Sequence, residues 1–288
     1  MVDKLGPLVS IILPSYNYAH FIDDAISSVL SQTYGHYELI VVDNYSEDQT
    51  SAVVASFLDD RIKFFQFANG GSIAAARNFG VANSTGEIVA FIDADDKWKR
   101  TKLSEQVPLH SSLSAVSYHD LKIFGSRNFG KAKGRHFRGD LIVDMLTGGN
   151  PIATSSVIVP RHLINFAQGF PEDADIVTAE DFALWLKLAE HKVEFIYLPK
   201  TLGHYRLHSV SSSAGKSTRA AKIVVNRYRH RLSPKQQKRM DGWLDYGLGV
   251  SEPSAIIART HFIAAAKGAK FRFKWRAVIR VFISLVNP

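Results

Sequence analysis

The chain of 288 residues contains no cysteine. This excludes a disulfide framework, a thiolate metal site and a cysteine nucleophile, and it fits a reducing compartment. No run reaches the roughly 18 to 20 apolar residues that a membrane span needs. The first residues, Met1 to Pro7, lack the basic start and apolar stretch of a secretory signal. Residues 9–20 hold no glycine, lysine or arginine, which argues against an enzyme that opens on a Gly-rich basic phosphate loop. No G-x-G-x-x-G follows the first apolar run, as dinucleotide binding would require. His204 and His208 lie four apart without the intervening glutamate of a zinc-protease helix.

What is present is an ordinary globular composition, long enough to bury a full core. Charge is unevenly placed. Residues 216–288 carry 16 Lys and Arg against 3 Asp and Glu, a net of +13, so residues 1–215 carry 19 against 24, or −5. The basic character belongs to the tail and implies an acidic partner there, anionic lipid or nucleic acid.

Apolar runs at Val9 to Leu13, Tyr37 to Val42, Ile62 to Phe67 and Glu87 to Ile92 predict strands. Between them Phe21, Ile22, Ala25, Ile26, Val29 and Leu30 recur at helical spacing, Ser46 with Glu47 and Asp48 suits a helix start, and Ile73 to Ala82 suits a third helix. Strands alternating with helices in this way predict an α/β fold with a parallel sheet whose ligands meet the carboxyl ends of the strands. The second half is less regular. Strands are expected at 115–124, 155–159 and 193–198, the last closed by Pro199, and helices at 140–146 and 180–191. From Lys216 onward the pattern is helical and basic, broken at Ser233-Pro234 and Glu252-Pro253.

The most informative stretch is Phe91-Ile92-Asp93-Ala94-Asp95-Asp96-Lys97-Trp98, which ends an apolar strand with three carboxylates in four residues. Crowded carboxylates raise one another's pKa, and a hard divalent cation with oxygen ligands relieves that. Capping of a helix near Lys97 by Asp95 or Asp96 is the plainer alternative. An EF-hand loop fits poorly, because Lys97 and Trp98 stand where it wants an oxygen ligand and a glycine.

With those residues in place the chain resembles an inverting family 2 glycosyltransferase of the GT-A fold. The resemblance rests on five stretches in order: Val9 to Asn17; Ser31-Gln32-Thr33-Tyr34 with Glu38 to Asp43; Gly71 through Ala76-Arg77-Asn78 to Gly80; Gly86 to Asp96; and Glu180-Asp181 with Leu184-Trp185. It covers about the first 210 residues. It implies a nucleotide-sugar-binding half at 1–100, an acceptor-binding half at 101–215 and a basic helical region at 216–288.

Residue by residue, the resemblance implies donor binding by Pro14, Ser15, Tyr16, Asp43, Asn44, Arg77, Asp93 and Ala94, with Asp93 at the ribose and Asp95 on the metal, Mn²⁺ or Mg²⁺. Asp96 is left between capping the next helix and supporting the site. Asn44 stands where the family usually has an aspartate that accepts the uracil imide hydrogen; its amide oxygen can still accept, but its NH₂ adds a donor. Asp181 is the catalytic base, Glu180 and Trp185 are candidates for the acceptor side, and Arg206 and His208 are candidates for the diphosphate.

The expected activity is metal-dependent transfer of a sugar from a nucleoside diphosphate sugar, uridine first, to a hydroxyl of a saccharide or lipid-linked acceptor in surface polysaccharide or glycolipid synthesis. The alternatives are a sugar nucleotidyltransferase and a binding module without turnover. The expected place is cytoplasmic, at the inner face of a membrane if the tail docks there. Lys267, Lys270, Arg272, Lys274, Arg276 and Arg280 interleave with apolar residues in that tail, as an interfacial segment would; nucleic acid is the weaker partner.

Overall fold

The computed structural model describes residues 6–125, 130–207, 214–252, 254–268 and 276–277. The first half alternates as the periodicity requires: β1 (Val9–Ser15), α1 (Ala19–Leu30), β2 (Tyr37–Asp43), α2 (Thr50–Ala55), β3 (Ile62–Gln66), α3 (Ile73–Ala82) and β4 (Ile88–Phe91). Then come β5 (Lys97–Trp98), α4 (Lys102–Gln106), β6 (Ala115–Phe124), β7 (Gly130–Ala132), α5 (Leu141–Gly148), β8 (Ile158–Pro160), α6 (Arg161–Phe166), α7 (Glu180–Glu190) and β9 (Glu194–Arg206). Three helices follow: α8 (Ala214–Asn226), α9 (Pro234–Ser251) and α10 (Ala255–Gly268).

The sheet runs β3-β2-β1-β4-β8-β6-β9-β5, with β7 paired to β6. Strands β1 to β4 are mutually parallel, as crossover helices demand. Beyond β4 the sheet is mixed: β8 is antiparallel to β4 and β6, while β6 and β9 are parallel. The chain divides into two compact units. One, Met1–His136 with Ile152–Glu172 and Lys187–Ser209, holds the sheet; the other, Phe137–Pro151 with Asp173–Leu186 and Val210–Pro288, holds α5, the start of α7 and the helices from α8 onward.

Val9, Ile11 and Leu13 of β1 pack with Ile22, Ile26 and Val29 of α1, all without exposed surface. Each contributes about 1.5–3 kcal/mol by burial. On the opposite side of β1, α3 lies so close that a Cβ on Gly80 would stand 2.6 Å from Ile12 Cγ2 and 3.2 Å from Val42 Cγ2. Only glycine lets helix and sheet approach this far. The Ser10 and Glu38 end of the strands is closed by a buried polar knot. Glu38 accepts from Ser10 Oγ at 2.8 Å and from the Lys63 ammonium at 2.7 Å, and Arg161 donates to Gly86 O, Val81 O and Ser84 Oγ. Burial pushes the Glu38 carboxyl up, but the bonds from Lys63, Thr85 and Ser10 outweigh it and hold it at about 2.

Three local expectations change. Ser46 does not open α2, because its hydroxyl and N–H are both bound to Asp43; Asp48 instead accepts from the Thr50 N–H, and α2 starts there. Residues 154–156 form a single 3₁₀ turn, and the strand is only 158–160. Pro199 does not close β9. The register with β6 jumps from His119↔Leu198 to Asp120↔Thr201 and Leu121↔Gly203, so Pro199 is carried in a bulge, where its missing N–H costs no ladder bond. The expected break at Ser233-Pro234 stands, as the start of α9, with the Ser233 N–H bonded to Gln236 Oε1 at 2.8 Å. Most of the interleaved tail, residues 269–275 and 278–288, lies outside the described residues.

Candidate active site

The acidic turn follows β4 directly. The Asp93 N–H donates to Ser155 Oγ at 3.1 Å and the Asp96 N–H to Asp93 O at 3.0 Å. Asp93 Oδ1 accepts from Arg77 Nη2 at 2.8 Å. The Arg77 side chain is only 3% exposed and packs against the Phe170 ring, 5.3 Å from its centroid, so it meets the site through Asp93 rather than from open solvent.

Asp96 is fully buried and does not cap a helix, since α4 begins only at Lys102. Its Oδ1 accepts the Arg206 N–H at 2.9 Å, and its Oδ2 is buried without a hydrogen-bond partner. Burial first, then the charges of Asp93 and Asp95, push its carboxyl well above the usual range. Tyr18 feels the same cluster: burial, then Asp95, Asp93 and Asp96, raise its phenol to about 12, so it stays a neutral donor beside them.

Among the described residues no three carboxylate or imidazole groups converge closely enough to hold an ion alone. The donor set nevertheless fits a hard divalent cation. It is all oxygen, Asp95 is only half-buried and Ala94 is buried between the two aspartates, and a cation beside them would favour the charged form of Asp96, whose buried Oδ2 accepts no hydrogen bond. A cation of the Mg²⁺ type completes its ligands with phosphate oxygens and water.

The loops after β1, β2 and β3 are tied to one another. Asp43, with no exposed surface, spends both carboxylate oxygens on Ser46: its N–H at 2.8 Å and its hydroxyl at 2.5 Å. Asn17 N–H donates to Ser46 Oγ at 2.8 Å, the Asn44 N–H to Ser15 O at 3.0 Å, and the Asn69 N–H to Asn44 Oδ1 at 3.0 Å. Pro14 and Ser15 are buried, and Ser15 Oγ has no partner. Tyr16 and Tyr45 stand exposed at these strand ends.

Arg206 ends β9 and is bonded to the turn. Its Nε donates to the Asp95 carbonyl at 3.0 Å and its Nη2 to Asp24 Oδ2 at 3.2 Å. Its guanidinium carbon lies 4.5 Å from the Phe21 ring centroid and 4.4 Å from that of Phe124. His208 lies outside the described residues.

In the helical unit, Glu180 and Asp181 begin α7. Glu180 Oε2 accepts from the Thr178 N–H at 2.7 Å, and Asp181 accepts from the Phe182 N–H at 2.5 Å and from Asn150 Nδ2 at 3.5 Å. Thr178 holds φ at 81°, a left-handed conformation costly for a β-branched residue. Asp181, Asn150, Thr178, Thr218 and Trp243 line a cavity of about 200 Å³. Trp185 has no exposed surface; it can set the apolar surroundings of the helix but presents nothing to an acceptor, and this corrects its place among acceptor-side candidates.

Sequence reasoning missed Tyr18, Ser155 and Asp24, none of which carries a local signal. It also missed a buried polar layer of Lys102, Gln106, His110 and His119. The Lys102 ammonium sits 3.8 Å from the Trp98 ring centroid and is driven well below its ordinary value by complete burial. His110 Nε2 lies 2.7 Å from Ser117 Oγ, which also accepts from Gln106 Nε2, and His110 and His119 are lowered, chiefly by burial, to about 4 and about 3.

Residues 10–158 match the family model described as Glycosyl transferase family 2. TuaG of Bacillus subtilis, a glycosyltransferase assigned to teichuronic acid biosynthesis, is 32% identical over 76% of this chain and 87% of its own length. Escherichia coli WfgD, described as a UDP-Glc:alpha-D-GlcNAc-diphosphoundecaprenol beta-1,3-glucosyltransferase, is 34% identical over 73% of this chain and 81% of its own. Among solved structures, a Pyrobaculum calidifontis mannosyltransferase in complex with GDP-Man and Mn²⁺ superposes with a TM-score of 0.64 over 98% of this chain and 82% of that one, at 20% identity. Staphylococcus aureus TarS in complex with UDP-GlcNAc gives 0.62 over 96% and 88%, at 16% identity. At those identities the structures speak for the fold alone.

Proposed function

The chain belongs to glycosyl transferase family 2, is a glycosyltransferase and has the GT-A fold, and from that premise we propose that it moves one sugar, with inversion, from a nucleoside diphosphate sugar to a hydroxyl of a cell-surface saccharide acceptor. The observation that carries the reading is the acidic turn, Asp93 to Asp96, at the carboxyl end of a parallel strand, held between Arg77 and Arg206. The related TuaG and WfgD support a surface polysaccharide as product, and the acceptor in the name of WfgD supports a lipid-linked one.

In this reading Pro14, Ser15, Tyr16 and Asn44 border the nucleoside, Asp43 holds their loop through Ser46, and Asp93 meets the ribose while Arg77 fixes its carboxylate. Asp95 would hold Mg²⁺ or Mn²⁺, which when bound would offset charge developing on the diphosphate leaving group. Asp181 removes the acceptor proton as the acceptor oxygen bonds to the anomeric carbon and the bond to the diphosphate oxygen breaks. Glu180 pins the start of that helix through the Thr178 N–H. A single displacement needs no protein nucleophile.

No helix among the described residues is long and apolar enough to cross a membrane. The reading places the protein peripherally at an anionic membrane surface. Ile256 and Ile257 are 81% and 49% exposed on α10, Ile223 is exposed on α8, and Arg219 and Lys222 line a cavity of about 450 Å³ with Ile223. A screen of uridine, thymidine and guanosine diphosphate sugars with purified protein, with and without Mn²⁺, tests the reaction. Release of nucleotide diphosphate that depends on both acceptor and metal is expected, and its absence with every donor refutes the proposal.

A further inference from the structure

We infer that Arg206 is a positioning residue that fixes the acidic turn from behind, and that it does not grip the diphosphate. The inference rests on the proposed function only for what the turn is used for; the restraint itself is a matter of the geometry.

Two backbone groups and a side chain converge. The Arg206 N–H donates to Asp96 Oδ1 and its Nε to the Asp95 carbonyl, at 2.9 and 3.0 Å. One side chain thus holds the peptide of the metal-ligand candidate while the main chain of the same residue holds the carboxylate beside it. The Nη2 donates to Asp24, whose carboxylate also pairs with Lys97 at 2.7 Å. Lys97 belongs to β5, which pairs with β9 at His204 and Gly203. The turn is therefore bracketed by a strand pair on one flank and a guanidinium on the other.

Two guanidinium nitrogens, Nε and Nη2, are committed to fixed acceptors. Phe21 and Phe124 pack against the group, and the side chain is only 15% exposed. A flexible diphosphate clamp would keep its fork open to solvent; here the planar group is pre-organised by stacking and by fixed acceptors. A lysine in its place could keep the charge but not the simultaneous Nε and Nη2 geometry. Freed of that bond, the Asp95 peptide loses the restraint on its carbonyl, and the Asp95 carboxylate loses a fixed direction.

The test uses the full chain with Arg206→Met, Arg206→Lys and Asp24→Asn, the last removing a tether while keeping the arginine. Hydrogen exchange of the ligand-free protein, read by mass spectrometry, should rise about tenfold or more in the peptide spanning 93–98 and not in β1 or β2, in Arg206→Lys as well as Arg206→Met, with a smaller rise in Asp24→Asn. Calorimetry with UDP and with GDP should show metal-free nucleotide binding unchanged and Mn²⁺ affinity in the presence of nucleotide reduced about tenfold. Unchanged exchange at 93–98 in Arg206→Lys overturns the inference, as does an equal loss of metal-free nucleotide affinity, which would mark a direct diphosphate contact. If the unaltered protein binds neither nucleotide, the proposed function fails, and the exchange measurement still decides the role of Arg206.

Discussion

Asn44 Oδ1 accepts the backbone N–H of Asn69 at 3.0 Å. One of the two lone pairs of the amide oxygen is therefore already committed to the loop after β3, and the oxygen expected to receive the uracil imide hydrogen has a single acceptor site left. An aspartate at this position could serve both partners with separate, charged oxygens. Asn44→Asp should keep the fold and strengthen UDP binding about tenfold, since bonds to charged acceptors are worth more than neutral ones by roughly 1–1.5 kcal/mol. Calorimetry with Mn²⁺ present should rank UDP above thymidine diphosphate and both above GDP. A guanosine preference, or no gain in UDP affinity on substitution, would mean that Asn44 does not read the base.

Asp95→Ala should abolish transfer while leaving the melting temperature unchanged or slightly higher, because it removes one of three crowded carboxylates and relieves Asp96. The expected loss in kcat/KM is about 10³-fold or more, the scale of losing Lewis-acid assistance worth several kcal/mol. Asp181→Asn should lower kcat by a similar factor with donor affinity retained. Full turnover of a folded Asp95→Ala variant, or of the unaltered protein in excess chelator, would refute the metal assignment.

Acid should unfold the protein from an unusually high pH. His110 and His119 sit at about 4 and about 3 in the folded chain, against 6.5 for an ordinary histidine. Well below pH 6.5 the unfolded state therefore takes up two protons that the folded state refuses, and the two histidines lower stability by about 3 kcal/mol per pH unit, offset in part by Asp96, whose raised carboxyl acts in the opposite direction. Glu38, held at about 2 against an ordinary 4.5, adds its share only between those values, about 3 kcal/mol in all. Urea unfolding at pH 7.5, 6 and 5 should show the midpoint dropping steadily, and His119→Gln should roughly halve the slope above pH 5. A midpoint independent of pH from 7 to 5 would contradict this.

Flotation with phosphatidylglycerol vesicles should capture the protein, and neutral phosphatidylcholine vesicles should not. Ile256→Asp with Ile257→Asp should reduce capture several-fold without altering the melting temperature, because both side chains are exposed and each loses about 1 kcal/mol or more of apolar transfer. Capture that survives both substitutions would place any membrane contact elsewhere on the chain.

The alternation of strand and helix through Phe91 was legible because it rests on local periodicity, and so was the acidic turn, because three carboxylates after an apolar run have few structural uses. What was not legible depends on pairings distant in sequence. Ser46 carries the signature of a helix cap, yet Asp43 claims it first. Pro199 looks like a strand end, yet β6 accommodates it in a bulge. Arg206 stands in a segment that suggests phosphate binding, and only Phe21 and Asp24, both more than 180 residues earlier, reveal its other commitments. Trp185 follows the Glu180-Asp181 pair in sequence, but one turn of helix carries it from the cavity wall into the core.

The irregular register between β6 and β9 makes chain length itself a component of the site. Had the pairing of Ala115 with Glu194 continued unbroken, Gly203 would stand opposite Phe124, where Arg206 now pairs. Three supernumerary residues bring the arginine into place. A deletion within Pro199–Leu202 would thus disarm the turn although it removes no residue that touches it, and substitutions that alter chemistry there would be tolerated where changes of spacing would not.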